Sequence, residues 1–182
     1  MTAIRESPVV RASTRGLSLT ENIVLALVGE GPTHGFAVAR LVGADHVVGR
    51  IFRIPRPIVY RALDRLLAGG LVKVDGVQPS SQGPQRTRYR ITRAGRKVAE
   101  AWLSTPATHI RDIRTEFLVK LVLLERTGVD ATSVVQAQRR VVAPIVAALE
   151  GRSSGEADRV VSSWRYESAQ AALRFLDKLL AD

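Results

Sequence analysis

The sequence predicts a mostly α-helical fold with one small β-hairpin, in which a winged helix-turn-helix unit is followed by a helical region. Three observations lead there. Pro55–Val74 (PRPIVYRALDRLLAGGLVKV) reads as a helix that stops at a Gly-Gly pair and runs directly into a strand. A second strand, Arg86–Ile91 (RTRYRI), follows across the polar Gly/Pro loop Gln78–Gln85. After Pro106 the apolar pattern is wholly helical.

Each element has its own local cause. Ser18-Leu19-Thr20 offers capping hydroxyls to a first helix over Leu19–Gly29, whose apolar stripe is Leu19, Ile23, Ala26 and Leu27. Gly31-Pro32-Thr33 is a turn. A second helix is expected over His34–Ala44, with Phe36, Ala39 and Leu41 or Val42 inward, and Gly49–Ile54 as a short connection. Pro55 and Pro57 stand where proline suits a helix start. At about 100° per residue the third helix then sorts into two arcs. Ile58, Val59, Ala62, Leu63, Leu66 and Leu67 share one, and Arg56, Pro57, Tyr60, Arg61, Asp64, Arg65 and Ala68 the other.

Leu71–Val77 and Arg86–Ile91 form the hairpin, with Tyr89 and Ile91 on one face of the second strand and Arg86, Arg88 and Arg90 on the other. Thr92 can cap a fourth helix, Arg93–Ser104. Ile110–Thr127 is a helix ended by Gly128, and Asp130–Glu150 begins at an Asp cap and carries Pro144, a source of kinking. The last helix, Glu156–Ala181, has a continuous stripe of Val160, Trp164, Ser168, Ala171, Phe175 and Leu179. That organisation divides the chain into a basic arm (1–17), a winged unit (18–105) and a helical dimerisation region (106–182).

Charge separates the two larger parts. The net charge is +10, yet residues 1–100 hold 16 Lys and Arg against 7 Asp and Glu, whereas residues 101–182 hold 11 against 10. A module facing a polyanion is thus joined to one facing protein. The absence of cysteine excludes a disulfide framework and thiolate metal sites, and fits a reducing cytoplasm. No apolar run reaches the roughly 18 residues of a membrane span. His34, His46 and His109 are scattered, so no metal or other cofactor is expected. Neither a nucleophile elbow, a phosphate-cradling Gly-Lys-Ser/Thr loop nor a dinucleotide fingerprint occurs, which argues against an enzyme.

Forked guanidiniums along one side of a helix suit phosphates and guanine edges in duplex DNA. Arg56, Arg61 and Arg65 are therefore the candidate groove-facing residues, with Arg56 nearest the helix N-terminus. Tyr60 either reaches a phosphate or braces the helix against the wing. Arg86 and Arg88 point to phosphate or the minor groove, while Tyr89 belongs to the core. His34 is expected to cap the second helix, whose N-terminus is also a place for a phosphate. Trp102 and Trp164 are either interface core or the frame of an effector pocket.

Taken together these residues resemble the PadR family of bacterial transcriptional regulators. The resemblance rests on Pro32-Thr33-His34-Gly35-Phe36, on Tyr60-Arg61-Ala62-Leu63-Asp64-Arg65-Leu66 leading to Gly70-Leu71-Val72, and on Arg86, Tyr89, Thr92, Gly95 and Arg96. Glu116-Phe117-Leu118-Val119-Lys120-Leu121 completes it. One departure is the start of the third helix, where Pro55, Pro57 and Ile58 replace small or polar residues. The resemblance implies a homodimer joined through its C-terminal helices, a repressor on an inverted repeat, and release by a small phenolic or drug-like effector. Two alternatives remain: a MarR-type regulator, with dimer helices on both sides of the wing, and a non-specific architectural DNA-binding protein.

Overall fold

Helix α1 (Leu19–Gly29) is the axis of the N-terminal half in the computed structural model, which describes residues 16–78, 85–150 and 156–181. Ser18 and Glu21 close a capping box: the Glu21 N–H donates to the Ser18 hydroxyl oxygen, and the Ser18 N–H donates to the Glu21 carboxylate at 2.7 Å. The expected single stripe is exceeded. Every residue from Glu21 to Val28 is buried, because neighbouring helices and a strand pack around α1 on all sides.

The next segment departs from expectation in three ways. Thr33–His34 is a short strand, β1, in place of the end of the expected turn and the first residue of the expected helix. Helix α2 (Gly35–Leu41) ends three residues early, and a five-residue helix, α3 (Val47–Ile51), occupies part of the expected connection. A Cβ at Gly49 would overlap the Gly43 carbonyl, so only glycine permits this close crossing of α3 over the end of α2. Phe36 also turns outward, because the buried residues of α2 and its end are Gly35, Val38 and Val42.

Helix α4 (Arg56–Ala68), the expected third helix, buries Val59, Ala62, Leu63 and Leu66 against α1 and α2. Ile58 is half-buried, and Leu67, assigned to the inner arc, is exposed at the margin. Strands β2 (Val72–Gln78) and β3 (Arg86–Ile91) form the wing, and β1 extends it to a three-stranded antiparallel sheet in the order β1-β3-β2. Thr33 pairs with Tyr89 and His34 with Arg88. Residues 1–15 of the expected arm and 79–84 of the expected loop lie outside the described residues.

Helix α5 (Arg93–Ser104) starts where the Thr92 hydroxyl accepts from the Gly95 N–H at 3.0 Å and donates to the Gly70 carbonyl at 2.8 Å. Helix α6 (Ile110–Asp112) passes through one π turn, Ile113–Phe117, into α7 (Leu118–Arg126). There Gly128, at φ +68°, closes the helix with a Schellman pair, in which Val129 donates to the Leu124 carbonyl and Gly128 to that of Glu125. Helix α8 (Thr132–Leu149) begins two residues after Asp130, whose carboxylate accepts from the Thr132 N–H and hydroxyl; Pro144 lies inside it. Helix α9 (Glu156–Ala181) packs along α8.

Two apolar clusters result, and α7 serves both. Val119 and Leu123 join the cluster around α1, whereas Leu124 and the π-turn residues Ile113 and Phe117 join the one between α8 and α9. At this joint Lys120 is fully buried. Its ammonium donates to the Thr105 carbonyl at 2.7 Å and to the Glu116 carboxylate at 2.6 Å, and lies 4.9 Å from the centre of the Trp102 ring. A buried cation is tolerable only when paired and hydrogen-bonded in this way. Among the described residues no helix is long and apolar enough to cross a membrane.

Gly95 offers a direct check on how closely α5 meets the wing. A Cβ there would stand 2.0 Å from the Leu71 carbonyl oxygen, which is backbone and cannot swing aside. Gly95→Ala should cost at least ~2 kcal/mol and lower the thermal midpoint by roughly 4–8 °C. A midpoint within about 1 °C of wild type in calorimetry would contradict this packing.

Candidate nucleic-acid interface

The start of α4 is built to present side chains outward. Pro55 takes the N-cap position and Pro57 follows inside the first turn, both where a missing N–H costs nothing. Burial of Val59, Ala62, Leu63 and Leu66 fixes the helix rotation, so Arg56, Tyr60, Arg61, Asp64 and Arg65 face solvent. Tyr60 meets α2: a Cβ on Gly35 would lie 2.7 Å from its ring, so glycine is what lets the two helices approach. The bracing contact of Tyr60 is thus with α2, on the side where β1 joins the wing.

β1 carries the neighbouring candidates to the same place. His34 caps α2, its Nδ1 accepting from the Ala37 N–H at 3.0 Å, which leaves the ring proton on Nε2. Its backbone pairs with Arg88 in the sheet. Phe36, one residue into α2, has its ring 5.3 Å from the guanidinium carbon of Arg56 and 5.3 Å from that of Arg86. Arg56 also lies 5.8 Å from the centre of the Tyr60 ring. His34, Arg56, Tyr60, Arg86 and Arg88 therefore cluster where α2, the start of α4 and the wing meet, and Arg61 and Arg65 continue along α4.

The arginines differ in their partners. Arg65 donates to the Glu21 carboxylate at 3.2 Å. Burial pushes the Glu21 carboxyl up, but hydrogen bonds from Ser18 and Arg65 outweigh it and the group ends below its ordinary range. Arg88 and Arg90 both pair with Asp75, at 2.9 and 2.7 Å. Asp75 can take both because it is the extra residue of a β-bulge between Val74 and Gly76, which turns its side chain back across β3. Arg56, Arg61 and Arg86 have no carboxylate partner among the described residues. Tyr89 is buried in the core, and its hydroxyl is pushed up by burial and by the nearby Asp64 and Tyr60.

The two tryptophans lie apart in character. Trp102 packs on the N-terminal cluster and donates from Nε1 to Glu116 at 3.2 Å. Trp164 on α9 is 72 % exposed. A cavity of about 300 Å³ opens instead between the two halves, lined by Ala26, Ile91, Ala99, Leu103, Leu124 and Val134 among others, and by neither tryptophan.

Residues 24–101 match the transcriptional regulator PadR-like family. That family consists of regulators and not enzymes. All seven candidate DNA contacts lie inside this PadR-like segment, whereas Trp102 and Trp164 lie outside it. Bacillus subtilis PadR in complex with operator DNA is similar in structure at 14 % identity and a TM-score of 0.46, covering 88 % of this chain and 97 % of that one. The same protein in complex with p-coumaric acid gives 14 % and 0.41, covering 90 % and 94 %. A PadR-like transcriptional regulator from Bacillus cereus gives 18 % and 0.40, covering 89 % and 96 %. No curated protein matches.

Two residues that shape this arginine cluster, Phe36 and Asp75, are not legible in the sequence reading. The sequence reading places Phe36 inward, whereas the buried stripe Gly35, Val38 and Val42, at spacings of three and four, leaves it outside. Asp75 gave no signal, since a bulge is not legible from strand alternation.

The Asp75 pairs carry a pH signature. The hydrogen bond from Arg90, with the charges of Arg90 and Arg88, holds its carboxyl below the ordinary 3.8. The pairing is fully present above the unfolded value and is lost as pH falls through the lower folded one. A carboxyl NMR titration should find the midpoint of Asp75 below 3.8 in wild type and closer to 3.8 in Arg90→Ala. A wild-type midpoint at or above 3.8 would contradict the bulge geometry.

Proposed function

We propose that this chain is a sequence-specific DNA-binding transcriptional repressor that reads an inverted-repeat operator as a homodimer, through α4 and the wing. The observation that carries the reading is the placement of Arg56, Arg61 and Arg86 on one solvent-facing surface without carboxylate partners among the described residues, within the PadR-like segment. Unneutralised guanidiniums at the N-terminal end of an exposed helix suit base edges in the major groove, and an arginine at the start of the wing strand suits the flanking phosphates. Arg65 and Arg88, each shared with a carboxylate, would contact phosphate at the margins.

The dimer reading is supported by α9. Ala169 and Leu176 face its own chain, while Val160 and Trp164 are 70 % and 72 % exposed. An exposed tryptophan beside an exposed valine on a helix invites a partner, and a second copy of the same helix is self-complementary. The cavity between the halves is apolar enough for a small aromatic effector. Occupancy there would bear on α1, α5, α7 and α8 together, and so on the angle between the reading surface and the dimer helices. A non-specific architectural protein is the competing reading, and salt dependence alone would not separate the two.

Equilibrium anisotropy titrations with a duplex from upstream of the chain's own coding sequence, against random duplex, decide between them. The upstream duplex should bind two protomers, and Arg56→Ala and Arg61→Ala should each cost about 1–3 kcal/mol of discrimination. Equal affinity of the wild-type protein for both duplexes would overturn sequence-specific reading in favour of the architectural one.

A further inference from the structure

Among the described residues, Phe36 is the exposed aromatic shared by the two arginines that start α4 and the wing strand. It is 42 % exposed, in the first turn of α2, with Arg56 and Arg86 each 5.3 Å from its ring centre. His34 lies 6.3 Å away, tilted by 39°. Neither arginine is held by a carboxylate among the described residues, whereas Arg88 and Arg90 on the same strand are both held by Asp75. The winged unit thus orders its arginines in two ways. A carboxylate fixes a guanidinium and cancels charge; a ring fixes it through its negative face and cancels none. Two guanidiniums close together repel each other, and a shared ring offsets that repulsion without reducing what they offer a polyanion.

We infer that Phe36 is a positioning and specificity-determining residue for duplex DNA: its ring couples Arg56 of the reading helix to Arg86 of the wing, so that both engage one duplex as a unit. This inference rests on the DNA-reading function above. A flexible arginine loses rotamer freedom when it binds, and prior ordering by the ring removes part of that loss. Ordering at both ends of the surface also sets the distance between the base-edge contact and the flanking phosphate contact.

The test is a double-mutant cycle in the full chain with the upstream duplex at fixed salt, paired with NMR of the DNA-free protein. In wild type, Arg56→Ala and Arg86→Ala should depart from multiplicativity by about fivefold in affinity. In a Phe36→Leu background they should multiply, and Phe36→Trp, which keeps a ring, should retain the coupling. Without DNA, the ring current of Phe36 should move the δ-methylene protons of both arginines upfield, and Phe36→Leu should abolish the Arg86 shift and reduce that of Arg56, which keeps the Tyr60 ring, at an unchanged thermal midpoint. Absence of the upfield shifts in wild type, multiplicative effects in wild type, or persistence of coupling in Phe36→Leu would each overturn the inference while leaving DNA reading intact. A wild-type protein that binds no duplex would overturn the DNA-reading function and this inference with it.

Discussion

The pairing of Thr33 with Tyr89 and His34 with Arg88 is the constraint on which the proposed reading surface depends. It ties the chain just ahead of α2 to the central strand of the wing. A two-residue strand is too short to hold itself, so its stability is borrowed from Tyr89 and Ile91, which are buried beneath the sheet. Once β1 is fixed, His34 must cap α2, Gly35 must meet the Tyr60 ring, and Phe36 must stand beside Arg56 and Arg86. Helix, cap and wing then form one surface. The same residues on a longer or looser connection would present three separate basic patches.

Much of this was legible because it is local. The two arcs of α4 follow from helical periodicity, and Val59, Ala62, Leu63 and Leu66 are buried as that period requires. Thr92 announces α5, Gly128 ends α7, and the alternation of β3 puts Tyr89 and Ile91 inside. What was not legible is nonlocal or too short to show a period. Helix α3 has five residues, and its existence depends on Gly49 passing against the Gly43 carbonyl. β1 is a strand only because β3 lies beside it; read alone, Gly31-Pro32-Thr33 is a turn. The uniform burial of α1 likewise depends on how many elements surround it. Placement of the tryptophans follows the same rule: spacing put both on helices, but only tertiary packing makes Trp102 half-buried and leaves Trp164 outside.

The joint between the halves uses a different chemistry from the arginine-rich surface. Lys120 is buried, satisfied by the Thr105 carbonyl and by Glu116, with the Trp102 ring over its ammonium. Because Glu116 also accepts from Trp102, α5 and α7 share one polar knot inside an otherwise apolar contact. The π turn Ile113–Phe117 precedes it directly, placing Glu116 and Phe117 before the ordinary helix resumes at Leu118. Through Val119 and Leu123 on one side and Leu124 on the other, α7 belongs to both apolar clusters, and the cavity between the halves touches α1, α5 and Ile91 of β3 as well.

Hydrogen–deuterium exchange of the full chain with and without the upstream duplex tests the central claim most directly. The proposed DNA contact is the surface made by β1, α2, α4 as far as Arg65, and β3. Protection on binding should therefore concentrate in residues 33–41, 56–65 and 86–91, with residues 132–149 of α8 unchanged. Protection confined to α8, with none across 56–65, would contradict the account.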